Sequence, residues 1–348
     1  MQSFTQLIPQ ISAELLPYFS WLGERFEQVA WYLPFLLLLA ISGTCAFLVS
    51  GRSLAVTSRR TSYDKGARQI ALLAVVSGWI ALFGAGGWFF WRNGYELPPD
   101  WDIILVLSAL LPAVLVLLLT LALLFWKFTG KHRVFWWLNG LLLVVAGTAT
   151  LLWSWCLLRG LSQGISFAGT GDIVGDALAL GRDFLSGFGI QSGTQGSLGE
   201  IRLWDLEAFL VSPHLAMTCS LLPLFFAIPA VFASFGFLAL RSVHDYGRDH
   251  YAIVLTFSLR YAARFGFLLC CILAAFLGVQ GYLQWERGWL TLLPLCSELL
   301  LFLVWLFVSL LFSVLSRSQY PLRHKVWVVL ADCVALMTVV PLVGEWLR

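Results

Sequence analysis

Three ionisable side chains stand alone in long apolar runs: His214, Glu298 and Asp332. A charge held in lipid costs at least about 2.5–3.5 kcal/mol on insertion scales, so such residues are paired, neutral or beside water, and they mark proton routes and sites for polar ligand groups. Glu298, flanked by Cys296, Ser297 and Leu299, and Asp332, between Ala331 and Cys333, each lie roughly two turns into an apolar run. A carboxyl in such a place is suited to taking up and releasing protons, and these two are the proton-handling candidates. His214 opens a third run in the setting Ser212-Pro213-His214-Leu215-Ala216-Met217. Its imidazole titrates near neutral pH. His214 and Glu298 fall towards the same end of their runs, so together they are the candidates for binding a lipophilic ligand, such as a quinone, that exchanges protons.

Ligands for a resident redox centre are scarce. A membrane b-type haem usually takes axial His from facing helices. Of the five His, His132, His244, His250 and His324 fall in basic connections and only His214 begins an apolar run, with Met217 one turn on. Haem b is therefore not expected. The seven Cys (Cys45, Cys156, Cys219, Cys270, Cys271, Cys296 and Cys333) fall in or beside apolar runs and form no Cys-x-x-Cys pair, so no iron–sulfur or zinc site is expected. The stretch Gly169-Thr170-Gly171-Asp172-Ile173-Val174-Gly175 has the wrong spacing for a dinucleotide fingerprint and follows no strand. Electron-carrying centres, if the chain works with them, belong to partner subunits or to a diffusible quinone.

The elements that must hold these residues follow from composition. Hydrophobic residues make up 59% of the 348 and charged residues 12%, and the mean hydropathy is +0.84. A soluble fold of this size could not present such a chain to water. Apolar runs long enough for a hydrocarbon core of about 30 Å fall near 31–50, 69–91, 103–126, 134–157, 217–240, 265–284, 290–315 and 326–345, which predicts an all-α polytopic membrane protein with eight transmembrane helices. Membrane barrels would instead show short alternating segments. The connections 51–68, 127–133, 241–264 and 316–325 hold fifteen of the 22 Lys and Arg. The excess of positive charge places them in the cytoplasm and both termini outside, in a bacterial-type inner membrane.

The eight runs also repeat. Lys131-His132-Arg133-Val134-Phe135 and Arg323-His324-Lys325-Val326-Trp327 each precede a long apolar stretch, and Leu33-Pro34 and Leu222-Pro223 stand the same distance before Arg52-Ser53 and Arg241-Ser242. Two four-helix bundles are expected, 31–157 and 213–348, in the same orientation because four spans separate equivalent positions. Glu298 and Asp332 break that symmetry, since the matching stretches Ser108-Ala109-Leu110 and Asn139-Gly140 carry no acid. Residues 1–30 carry Phe4, Leu7, Ile8, Ile11, Leu15, Leu16 and Phe19 at helical spacing and predict an amphipathic helix on the outer leaflet. Residues 158–212, with eleven Gly and the acids Asp172, Asp176, Asp183, Glu200, Asp205 and Glu207, predict an extracytoplasmic loop with short amphipathic helices.

A pair of four-helix bundles joined by an outer loop, with His214 opening the segment from Pro213-His214 to Leu240-Arg241 and an extra carboxyl in one half, resembles the membrane subunits of quinone-reactive respiratory complexes. The cytochrome bd quinol oxidases and the polysulfide-reductase type membrane subunits are of this kind. In the bd family the position of His214 carries a haem ligand, but that family's other haem ligands have no counterpart here. The resemblance implies a membrane subunit of an electron-transfer complex that binds quinone and handles protons, with redox centres in partner subunits on one membrane face. Two other classes stay open from the residues alone: a transporter of a lipophilic substrate, because the spans hold too few polar groups for a hydrophilic one, and a scaffold or assembly subunit, which needs no site. The basic run from Arg59 to Arg68 suits anionic membrane lipids or an acidic soluble partner, and nothing in the chain suggests nucleic acid.

Overall fold

Leu, Ala, Phe and Val fill the apolar runs, and in lipid their backbone polar groups must bond within the segment, which a helix alone achieves without a partner strand. The computed structural model describes residues 36–92, 103–131, 133–162, 213–241, 243, 246–286, 292–318 and 320–346. Among them the chain is all-helical: α1 (Leu36–Ser58), α2 (Thr61–Arg92), α3 (Ile103–Leu124), the short α4 (Trp126–Lys131), α5 (Arg133–Ser162), α6 (Pro213–Leu240), α7 (Arg248–Glu286), α8 (Leu292–Arg317) and, after a 3-10 turn at Pro321–His324, α9 (Lys325–Trp346). Six helices among the described residues are long and apolar enough to cross a membrane, namely α1, α2 to Gly84, α5 from Val134, α6 from Cys219, α7 to Val279 and α8 from Leu299. The chain is a multi-pass membrane protein. The expected outer-leaflet helix at 1–30 and, beyond the end of α5 at Ser162, the expected outer loop lie outside the described residues.

Two expectations need correction. The stretches 51–68 and 241–264 are mostly helix: α1 runs on to Ser58, only Arg59 and Arg60 separate it from α2, and α7 begins at Arg248. Hydropathy marks the part of a helix that matches lipid thickness, whereas Arg, Lys, Gln and Ala continue a helix readily past the headgroups. The turn is closed by Arg59 in the left-handed region at φ 54°, a conformation common just past a helix end. Pro223 and Pro229 lie inside α6, which runs unbroken from Pro213 to Leu240. Neighbouring helices can satisfy the carbonyls a membrane proline frees.

Surface chemistry agrees with a lipid surround. Ile80, Phe83, Leu141, Val314 and Met337 are more than 60% exposed, so the outward faces are as apolar as the interior. Only α1 and α6 are mostly enclosed, each with 72% of its span buried. They cross at the centre of the molecule, and a Cβ on Gly43 would overlap the carbonyl oxygen of Phe225. Helices α6, α7, α8 and α9 form a closed ring of neighbours, while α3 bridges α2 and α5. A Cβ on Gly147 of α5 would lie 2.7 Å from the Ser42 carbonyl of α1, and one on Gly78 of α2 would lie 3.6 Å from Ile41, so α1 closes the first group. Its two faces serve two cores: Leu39 and Phe47 join the core around α6–α9, and Ile41, Cys45 and Leu48 join the core with α2, α3 and α5.

An aromatic seam joins the two groups. Phe47 meets Phe257 at 5.1 Å and Tyr261 edge-on at 5.4 Å, Tyr63 meets Phe257 at 5.6 Å, and Ser50 Oγ shares a 3.2 Å hydrogen bond with Tyr261 Oη. Offset and edge-on aromatic pairs contribute roughly 0.5–1.5 kcal/mol beyond their buried area.

Candidate functional site

Asp332 is the one fully buried carboxyl among the described residues, at 0% exposure. Its burial follows from helix periodicity. Val328, Ala331, Asp332, Ala335 and Val339 form the inward stripe of α9 and are all essentially inaccessible. The facing stretch of α6 offers Ala230, Ala233 and Ser234, also buried, and small residues on both sides let the helices approach closely. Ser234 Oγ then reaches Asp332 Oδ2 and donates to it at 2.6 Å. The partner of Asp332 is therefore a hydroxyl from α6, and no Lys or Arg is among its described contacts.

The arrangement is suited to holding a variable number of protons. Ser234 has one hydroxyl proton and two acceptors in reach, since the Val231 carbonyl lies 2.8 Å away. A second proton carried on Asp332 Oδ2 would donate to Ser234 Oγ and leave the hydroxyl proton to Val231. Asp332 Oδ1 has no described partner, and neither do Trp305 Nε1 on α8 and Ser220 Oγ on α6. Ser258 Oγ of α7 donates to the Ala230 carbonyl, so hydroxyls from two helices line this part of the ring.

His214 and Glu298, the proposed ligand-binding pair, fall on α6 and α8, but their side chains lie outside the described residues. The two helices are diagonal in the ring, each adjoining α7 and α9. Asp332 is on the side of α9 that faces α6, well along the chain's basic end from both.

Two further clusters escaped the sequence. At the ends of α1 and α2, the buried Arg52 donates through Nη2 to the Trp126 carbonyl at 3.0 Å, pairs through Nε with Asp64 at 3.5 Å and lies 4.4 Å over the Trp126 ring, while Trp126 Nε1 donates to Asp64 at 3.3 Å. This set fastens α4 to the α1–α2 turn. His250, expected in a loop, is instead on α7 and only 6% exposed, with Nε2 3.2 Å from Gln69 Oε1. Neither pairing could be found by spacing, because each joins residues from separate helices. Among the described residues no three His, Cys, Asp or Glu side chains gather as a metal site. Outside the bundle, α3 and α5 border a groove of about 580 Å³ lined by Leu121, Phe125, Phe128, Phe135 and Leu142, with Asn139 as its polar group.

Comparison with known protein families, with characterised protein sequences and with solved structures gives no match.

Proposed function

We propose that the chain is an eight-span subunit of a quinone-linked electron-transfer complex in a bacterial-type inner membrane, built as two like-oriented four-helix bundles, with its redox centres in partner subunits. The observation that carries this reading is Asp332: a carboxyl enclosed at 0% exposure, bonded to a hydroxyl and lacking a cation among its described contacts. Intramembrane acids mark proton relays and ion or substrate pathways, and proton handling suits an acid bonded to a hydroxyl. The apolar interior favours a lipophilic partner over a hydrophilic substrate, because a quinone needs an apolar slot and one or two hydrogen-bonding groups; the groove beside Asn139 has that character. In this reading Glu298 and His214 serve the outer half of the second bundle and Asp332 the inner half.

Two experiments test it. In the complex purified with its partners, Glu298→Gln keeps size and hydrogen bonding but removes the titrating proton, and quinone-linked turnover should fall by about 10²-fold or more. Full turnover with unchanged pH dependence would remove Glu298 from the mechanism, and purification of the chain with neither quinone nor redox partners would favour transport or scaffolding. For topology, single-Cys variants near 60, 130, 250 and 320 should be labelled only from the cytoplasm and those near 95 and 185 only from outside. Opposite labelling in one half would end the like-oriented arrangement.

A further inference from the structure

Between the first and second helix groups, at the basic end, the described residues enclose a cavity of about 340 Å³. Its polar wall is Lys65, Arg68 and Gln69 from the start of α2 and Tyr246 from the connection before α7. Lys65 and Arg68 are exposed, and Lys65 Nζ stands 5.8 Å from the centre of the Tyr246 ring. Gln69 is 92% buried, being 8% exposed. Gln69 borders the cavity, and its Oε1 is 3.2 Å from His250 Nε2. The remaining wall is Leu72, Leu73, Leu123 and Leu240, and Leu72 is 46% exposed on the outward face of α2. Among the described residues no acid lines the cavity; the nearest along α2, Asp64, is engaged by Arg52 and Trp126.

From this juxtaposition we propose that the cavity is a specific site for an anionic phospholipid, with the phosphate held by Lys65 and Arg68 and the acyl chains lying along the leucine wall. Two cations on one wall select an anion. The leucines select an amphiphile over a soluble phosphate, because they are adjacent to the headgroup position and continue onto the lipid-facing surface of α2. The lipid would contact α2 and α3 of one group and α6 of the other, and so sit at their junction.

The test is native mass spectrometry of the full chain in mild detergent, titrated separately with phosphatidylglycerol, phosphatidylcholine, inorganic phosphate and a neutral quinone. Wild type should prefer phosphatidylglycerol, and K65Q/R68Q should weaken its binding by about tenfold or more, to the level of phosphatidylcholine. The charge-matched control R317Q/K325Q, at the same end but away from the cavity, should stay within about twofold of wild type. The proposal is overturned if K65Q/R68Q keeps the preference, if the control loses as much, or if phosphatidylcholine or the quinone binds wild type as tightly as phosphatidylglycerol. Inorganic phosphate binding as tightly as the lipid would overturn the acyl half of the assignment and leave a soluble anion as the ligand.

Discussion

Replacing Asp332 by Asn is expected to leave the chain folded and inserted while lowering proton-coupled turnover of the intact complex by roughly 10²–10⁴-fold, the range associated with loss of a positioned acid or base. Asn preserves the volume, and its carbonyl oxygen can accept from Ser234 Oγ as Oδ2 does at 2.6 Å. What it removes is the capacity to carry a second proton into the Ser234–Val231 arrangement. The companion variant Ser234→Ala separates this from a packing role. If Asp332 only fills space, Asp332→Leu with Ser234→Ala should be neutral or stabilising, because an apolar pair replaces a buried polar one, and turnover should stay at the wild-type level. If Asp332 moves protons, every variant lacking the carboxyl fails in turnover however stable it is. Turnover and thermal stability measured on the same preparations decide between the two, and wild-type turnover in Asp332→Asn would sink the proton role.

Membrane character was plain from the chain because it is a property of composition, and helix as the element followed from the need to satisfy the backbone in lipid. Asp332 was visible for the same reason, an acid in an apolar run. Its partner was not. Ser234 is an ordinary residue in an Ala-Ser-Phe-Gly stretch, and only the close passage of α6 and α9 makes it significant. The boundaries of α1, α2 and α7 were missed because their charged ends stay helical outside the lipid-thick portion. Gln69 shows the same limit: it reads only as the first residue of the apolar run 69–91, yet α2 turns its side chain towards His250 on α7. Residues that act through a neighbour on their own helix can be read from spacing, but those that act across helices require the packing.

That packing has one position where it tolerates least. At the α1–α6 crossing, Pro229 lacks the N–H that would normally bond the carbonyl four residues earlier, so the Phe225 oxygen has no helical partner there. The backbone of α1 approaches that oxygen at Gly43, where a Cβ would overlap it and would also lie 2.9 Å from Pro229 Cγ. Close approach of this kind allows weak Cα–H···O contacts worth about 0.5–1 kcal/mol each, and more importantly it allows the two most enclosed helices to pack at all. Gly43→Ala must part them, because the obstructing atom is backbone and cannot rotate away; a loss of about 1–3 kcal/mol or more is expected, as for other overpacked cores. Gly43→Leu should prevent stable accumulation of the folded chain. Gly147→Ala, whose Cβ would meet the Ser42 carbonyl at 2.7 Å, should fall between. Gly84→Ala has nothing within 4 Å and should be neutral or up to about 1 kcal/mol more stable, since Ala is the better helix former. Unfolding of the four variants in detergent should therefore rank Gly84→Ala, Gly147→Ala, Gly43→Ala and Gly43→Leu from most to least stable. If Gly43→Ala unfolded with Gly84→Ala, α1 and α6 would not be in backbone contact, and the central crossing that unites the two helix groups would have to be abandoned.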